Sequence, residues 1–225
     1  MFISHDQLSV VCRNILIQLV LNRKHVHKGA ANYQTVLQAT IEKDNVDLMK
    51  ELLIEFGDVN QHLNCGKTIL QMAVEKSAIN CVNHLLQLKA DPNRWDTAEK
   101  VTAVHAVAVT TTQSAEILQL LVNYGGNINN GVDRSGDSVL HHAVRENNVN
   151  MVKYLLDNKV ETVVRTFHET ALHTAAEHDF HVIADMLLRD NRGCVDSLRG
   201  DKVRETALHI VADAGFVNTC QVLLR

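Results

Sequence analysis

Four tetrapeptides decide the reading of this chain: Thr102-Ala-Val-His105, Ser138-Val-Leu-His141, Thr170-Ala-Leu-His173 and Thr206-Ala-Leu-His209. Each places a hydroxyl three residues before a histidine. Thr68-Ile-Leu-Gln71 and a weaker copy starting at Thr35 extend the series towards the N-terminus. Successive copies stand 32 to 36 residues apart, and self-similarity at such a period marks a stack of small units, none able to bury its apolar face alone. A second column keeps the same register, because Leu pairs follow at a nearly fixed offset: Leu52-Leu53, Leu85-Leu86, Leu120-Leu121, Leu155-Leu156, Leu187-Leu188 and Leu223-Leu224.

Within one unit Leu70 and Ala73, then Val82, Leu85 and Leu86, recur at steps of three and four, which predicts two short amphipathic helices per repeat. The residue three before each Leu pair is Met49, Val82, Ile117, Val152, Ala184 or Cys220, so this column, Cys220 included, is expected in the inter-repeat core. Nine residues after the hydroxyl column stand Asp44, Ser77, Thr111, Asn147, Asp179 and Gly215, where the chain must turn between helices and Gly, Asn or Asp best tolerate a left-handed backbone. Thr111 fits worst. The Leu pair comes one residue late in that repeat, so a local distortion is expected there.

Composition narrows the function classes. With 46% hydrophobic and 21% charged residues the chain is neither extensively disordered nor a membrane-spanning bundle. A formal net charge of −4 gives no general attraction to nucleic acid. One Pro and 4% aromatics suit a helical stack better than a β-sandwich. Five cysteines with no CxxC pair fit neither a disulfide framework nor a compact zinc site, and a reducing, cytoplasmic setting is expected. The stretch before the repeats has Asp6 where a secretion signal would be basic, and its longest apolar run, Ile15 to Leu21, is broken by Gln18 and too short to span a bilayer. Leu8, Val11, Ile15 and Leu19 recur at three- and four-residue steps ahead of the basic stretch Arg23 to Lys28. Residues 1–31 are therefore read as a helical cap on a repeat region covering 32–225, with a membrane-surface or partner helix as the alternative.

No GxSxG, GxxxxGK[ST], GxGxxG or HExxH string is present, so the chain is read as non-enzymatic and without a cofactor. His168, His173, His178 and His181 lie close in sequence, but they fall on a loop, a helix start and helix positions without a shared face. His141 and His142 are adjacent and point about 100° apart on a helix. No metal site is expected from either group. Cys65 and Cys194 lie in loops without a basic run that would make them acidic. Recognition is expected at the loop tips, since loops on a rigid scaffold carry binding. The candidate contact residues are Arg94, Trp95 and Asp96, then Asp133 and Arg134, Phe167 and His168, and Arg199, Lys202 and Arg204. Trp and Arg are frequent interface anchors, although Trp95 could equally pack on the loop beneath it.

The T-x-L-H block, the Leu pair and the period together resemble the ankyrin repeat. The resemblance implies an all-α ankyrin-repeat solenoid of helix pairs with protruding loops, used to bind a protein partner. It also implies that His105, His141, His173 and His209 link the hydroxyls of Thr102, Ser138, Thr170 and Thr206 to neighbouring backbone. Val36, Ile69, Ala103, Val139, Ala171 and Ala207 stand where that family has Pro, so each helix start lacks a pre-set φ. A narrower resemblance rests on His27-Lys-Gly-Ala-Ala-Asn-Tyr33, Glu55-Phe-Gly-Asp-Val-Asn60, Asn64-Cys-Gly-Lys-Thr-Ile-Leu70 and Ala90-Asp-Pro-Asn-Arg-Trp-Asp96. These strings are similar to the N-terminal cytoplasmic ankyrin region of insect transient receptor potential channels of the A subfamily, in particular the pyrexia-like members. That similarity implies an intracellular regulatory arm of a tetrameric cation channel answering heat or irritants. A free cytosolic adaptor or signalling inhibitor is the alternative. Because the sequence stops on the apolar pair Leu223-Leu224, the natural polypeptide is expected to be longer, with any pore beyond Arg225.

Overall fold

In a computed structural model the described residues are 31–56, 58–110, 114–129, 131–162, 169–190, 195–200 and 204–225. The expected N-terminal cap, the Thr111 distortion, and Phe167, His168, Cys194 and Lys202 lie outside them. Among the described residues the helices form six pairs: α1 (Ala31–Glu42) with α2 (Val46–Phe56), α3 (Ile69–Glu75) with α4 (Ile79–Gln87), α5 (Ala103–Ala108) with α6 (Ser114–Asn123), α7 (Val139–Arg145) with α8 (Val149–Asp157), α9 (Ala171–Glu177) with α10 (His181–Arg189), and α11 (Ala207–Ala214) with α12 (Val217–Leu223). The chain forms two compact units, Met1–Ala90 and Asp91–Arg225. Within each, a helix packs on its pair-mate and on its counterpart in the next pair: α1 on α2 and α3 in the first unit, α7 on α8 and α9 in the second.

The hydroxyl column starts the first helix of five pairs, whereas Thr35 lies inside α1. Thr68, Thr102, Ser138, Thr170 and Thr206 all have extended backbone with ψ between 159° and 171°, and each forms a reciprocal capping box with the side chain three residues on. The cap supplies what the missing Pro would have. The turn column ends that helix: Asp44, Ser77, Asn147, Asp179 and Gly215 have φ of 47°, 53°, 49°, 54° and 72°. Several of these turn residues also reach the neighbouring repeat. Asp44 Oδ1 accepts from the Cys81 amide at 2.8 Å, and Asp179 Oδ1 accepts from the Thr219 hydroxyl at 2.6 Å. A second left-handed column, Lys89, Gly125 and Lys159, follows the outer helices. Lys gives no sequence signal for that conformation, and a non-glycine residue there costs roughly 1 kcal/mol.

Between the pairs runs a ladder of asparagines. Asn93 Nδ2 donates to Gly125 O at 2.8 Å while its Oδ1 accepts from the Asn127 amide at 2.9 Å, and Asn129 Oδ1 accepts from the Glu161 amide at 2.9 Å. Asn60 Nδ2 repeats the contact with Lys89 O in the first unit. These bonds lie at the exposed edge and tie the loop of one repeat to the backbone of the next.

The core lies where the two columns meet. Met49, Val82, Ile117, Val152 and Ala184 are fully buried, as are Leu85, Leu121 and Leu155. Cys220 departs from the expected core position and is only half-buried, and Leu224 is 67% exposed. Cys220 lies in α12 and Leu224 caps its C-terminal end; α12 packs on α10 and α11. Cys81, by contrast, is buried, and burial first, then the Asp44 carboxylate, pushes its thiol up to about 12, so it behaves as a small apolar group.

Candidate functional site

The repeated hydroxyl–histidine boxes supply the first layer of the site. In Thr102–His105 the two side chains meet at 2.8 Å, the His105 amide donates to Thr102 Oγ1 at 3.3 Å, and the Thr102 amide donates to His105 Nδ1 at 3.4 Å. An amide N–H can only donate, so Nδ1 is the bare nitrogen and Nε2 carries the proton. Ser138–His141, Thr170–His173 and Thr206–His209 repeat the 2.8 Å contact. His173 Nε2 then donates to Glu205 O, 32 residues on, at 3.2 Å. The Gly131 and Glu169 backbones approach His105 and His141 in the same way, favouring the ring proton without reaching full hydrogen-bond geometry. In the second repeat Gln71 takes the histidine's place, its Oε1 accepting from the Thr68 amide at 2.6 Å.

Burial fixes the charge state of two of these rings. His105 and His141 are each 1% exposed. Desolvation, then the facing His142, pushes His105 down to about 4, and desolvation, then Arg145, does the same to His141. Both are neutral structural groups at physiological pH.

Beside the boxes, the second unit carries a charged stripe that no local motif announced. The hairpin ahead of α7 closes with the Asp133 amide donating to Asp137 O at 2.9 Å, and Asp133 Oδ1 accepts from the Ser135 and Asp137 amides at 2.8 and 2.9 Å. His142 Nε2, on α7, donates to Asp133 Oδ2 at 2.9 Å. Arg145, one turn further along α7, grips Asp137 Oδ2 and lies 3.6 Å from Glu169. Arg199 continues the row, 3.2 Å from Glu169 and 2.8 Å from Glu177. Burial raises the Asp137 and Glu169 carboxyls above their ordinary range, against the pull of the arginines. The links between repeats, Arg145 to Glu169 and Arg199 to Glu169 and Glu177, join residues in different repeats, which is why pattern reading missed them.

The predicted contact residues divide accordingly. Arg94 and Trp95 are exposed, Trp95 at 48%, with the Lys100 ammonium 5.5 Å from its ring centroid. Arg134 and Arg204 are also exposed. Asp96 and Asp133 require correction: they are 9% and 8% exposed and turn inward, Asp96 Oδ1 accepting from the Glu99 amide at 2.8 Å just as Asp133 does in its own hairpin. Each closes a loop and presents little to a partner. Arg199 is likewise occupied by its two glutamates. His178 Nδ1 meets Thr174 O at 3.0 Å and its ring stacks on Phe180. In the first unit an apolar hollow of about 440 Å³ opens between Leu53, Ile54, Val59 and Leu88, flanked by Lys50 and His84, with Ile54 81% exposed.

This arrangement of capped helix pairs agrees with what similarity adds. The family described as Ankyrin repeats (3 copies) matches residues 8–96 and 94–166. The chain belongs to the ankyrin-repeat family. Ankyrin repeats work as protein-interaction modules, and the all-α repeat architecture here is of that kind. Among its relatives is the Transient receptor potential channel pyrexia of Drosophila melanogaster, 33% identical over 125 residues, which is 55% of this chain and 13% of the channel. Another is the Nuclear factor NF-kappa-B p105 subunit of Gallus gallus, 28% identical over 159 residues, 69% of this chain and 16% of that protein. This ankyrin chain thus spans under a fifth of the length of either. Among solved structures, the ankyrin repeat domain of Bcl-3, a member of the IkappaB protein family, superposes with a TM-score of 0.74 at 21% identity, covering 84% of each chain, a likeness of fold. Among the described residues no helix is long and apolar enough to cross a membrane.

Proposed function

We propose that this ankyrin region is a non-catalytic regulatory arm from the cytoplasmic N-terminus of a transient receptor potential A-type cation channel, thermosensory or chemosensory, acting through contacts with neighbouring channel domains in a tetramer. The observation that carries the reading is the 33% identity to pyrexia, a channel by its name, over a stretch that includes the repeat loops as well as the repeat columns. The deciding experiment is to sequence the transcript past the codon for Arg225. Six apolar spans of about 20 residues each are expected, the length a helix needs to cross a bilayer. A stop codon reached without such spans overturns the reading.

A second reading has its own support. Both the p105 subunit, named a nuclear factor, and the Bcl-3 repeats of the IkappaB family are similar over more of this chain than pyrexia is, which favours a free-standing adaptor or signalling inhibitor. In either case the proposed contact surface is the set of exposed tips, with Arg94, Trp95, Arg134 and Arg204 on described residues and Phe167, His168 and Lys202 outside them. Trp95→Ala should leave the unfolding midpoint nearly unchanged while weakening capture of the partner in a pull-down. A large loss of stability would instead make Trp95 a packing residue.

A further inference from the structure

We propose that Asp133, Asp137 and His142 form a binding site for a zinc-like transition-metal dication at the base of the hairpin that precedes α7. Among the described residues this is the one place where three such side chains converge: an oxygen from each carboxylate and a ring nitrogen of His142 all lie within 4.8 Å of one another. Tetrahedral zinc with bonds near 2.0–2.1 Å spaces its ligand atoms by about 3.3 Å, so a dication fits between the present 2.9 Å contact of His142 Nε2 with Asp133 Oδ2 and the wider reach to Asp137. One imidazole and two carboxylates suit zinc or its first-row neighbours better than calcium or magnesium, which favour all-oxygen shells.

A further observation points to a missing ligand. Asp137 is 1% exposed, yet its Oδ1 has no hydrogen-bond partner, an arrangement that ordinarily costs a buried carboxylate dearly. Its Oδ2 is held by Arg145, so Oδ1 is the atom left to a metal. The His105 ring stands edge-on to His142 with centroids 5.8 Å apart, behind the same cluster. Arg145 is the obstacle, being a cation already on Asp137. It is not confined there: its side chain is 41% exposed and Glu169 offers a second partner at 3.6 Å. On binding, the Nε2 proton of His142 leaves for solvent while Nδ1 carries the remaining ring proton, taken up from solvent where it was bare, so the neutral ring turns its Nε2 lone pair to the metal; Asp133 Oδ1 keeps its two amide bonds and so keeps the hairpin closed. The site would tie the hairpin to the first helix of its own repeat.

Titration calorimetry of the whole metal-free chain with zinc chloride at neutral pH tests this. One saturable equivalent is expected, and Asp137→Asn and His142→Gln should each weaken it by at least about tenfold. Binding unchanged in both variants, or no saturable binding to the parent chain, overturns the site. Should either variant fail to fold, the imidazole resonances of the unaltered protein decide. Zinc must shift those of His142 before those of His62, His84, His178, His181 or His209, and the reverse order overturns the proposal as surely.

Discussion

The box Ser138–His141 and the box Thr206–His209 are the same device in two settings. Each holds a hydroxyl 2.8 Å from Nδ1 and takes the same capping amide geometry. Ser138 and His141, at the start of α7, have helix pairs on both sides, and His141 is 1% exposed. His209, at the start of α11, has one neighbouring pair and is exposed. The sequence motif therefore sets the local bond, while the neighbouring repeat sets what that bond is worth, because a hydrogen bond matters most where water cannot replace it.

The largest test of this difference lies in the Leu column. Leu155 is fully buried in α8, and Leu155→Ala should lower stability by about 2–5 kcal/mol through loss of contacts and the cavity left behind. Leu224, the second residue of the last Leu pair and the counterpart of Leu156, is 67% exposed, and Leu224→Ala should change stability by no more than about 0.5 kcal/mol. Urea unfolding of the two variants gives both numbers. Comparable losses would break the comparison, since they would mean that the end of the stack is as well packed as its middle.

Acid titration gives the next effect. The folded pKa of His105 and His141 is near 4, while a histidine in an unfolded chain titrates near 6.5. In that window the unfolded state binds more protons than the folded one, so stability is complete above about 6.5 and falls as pH drops towards 4. Asp137 and Glu169, raised by burial, take up protons early in the folded state and oppose the fall at its acid end. His141→Gln should keep the cap, as Gln71 does naturally, and flatten the decline of melting temperature between neutral pH and pH about 5. An unaltered slope would show that the buried ring is not the group being titrated.

These contrasts also mark what the sequence could disclose. The helix pairs, the caps at Thr102, Ser138, Thr170 and Thr206, and the left-handed turns at Asp44, Asn147, Asp179 and Gly215 are legible because each is fixed by residues within one repeat. Lys89 and Lys159 take the same left-handed backbone with no side-chain signal at all. Asp96 and Asp133 look like exposed acids on loop tips until the amides they bind are placed around them. The row Asp137, Arg145, Glu169, Arg199 and Glu177 assembles only when three repeats stack, and no spacing within one of them encodes it. Cys220 stands in an otherwise buried apolar column and is half-buried, which no spacing within its repeat foretells.

The smallest contrast is the sharpest, because it removes one oxygen from each setting and leaves the helices otherwise alike. Ser138→Ala deletes the acceptor for the His141 amide and the hydroxyl facing its ring, in a place closed to water, and should cost about 1–2 kcal/mol. Thr206→Ala removes the equivalent cap at an exposed box where water can reach the freed amides, and should cost about 0.5 kcal/mol. Subtracting the two measured losses isolates the part of the cap's worth that comes from the adjoining repeat. If that difference vanishes, the hydroxyl–histidine box is a purely local helix start, and burial of His141 adds nothing to it.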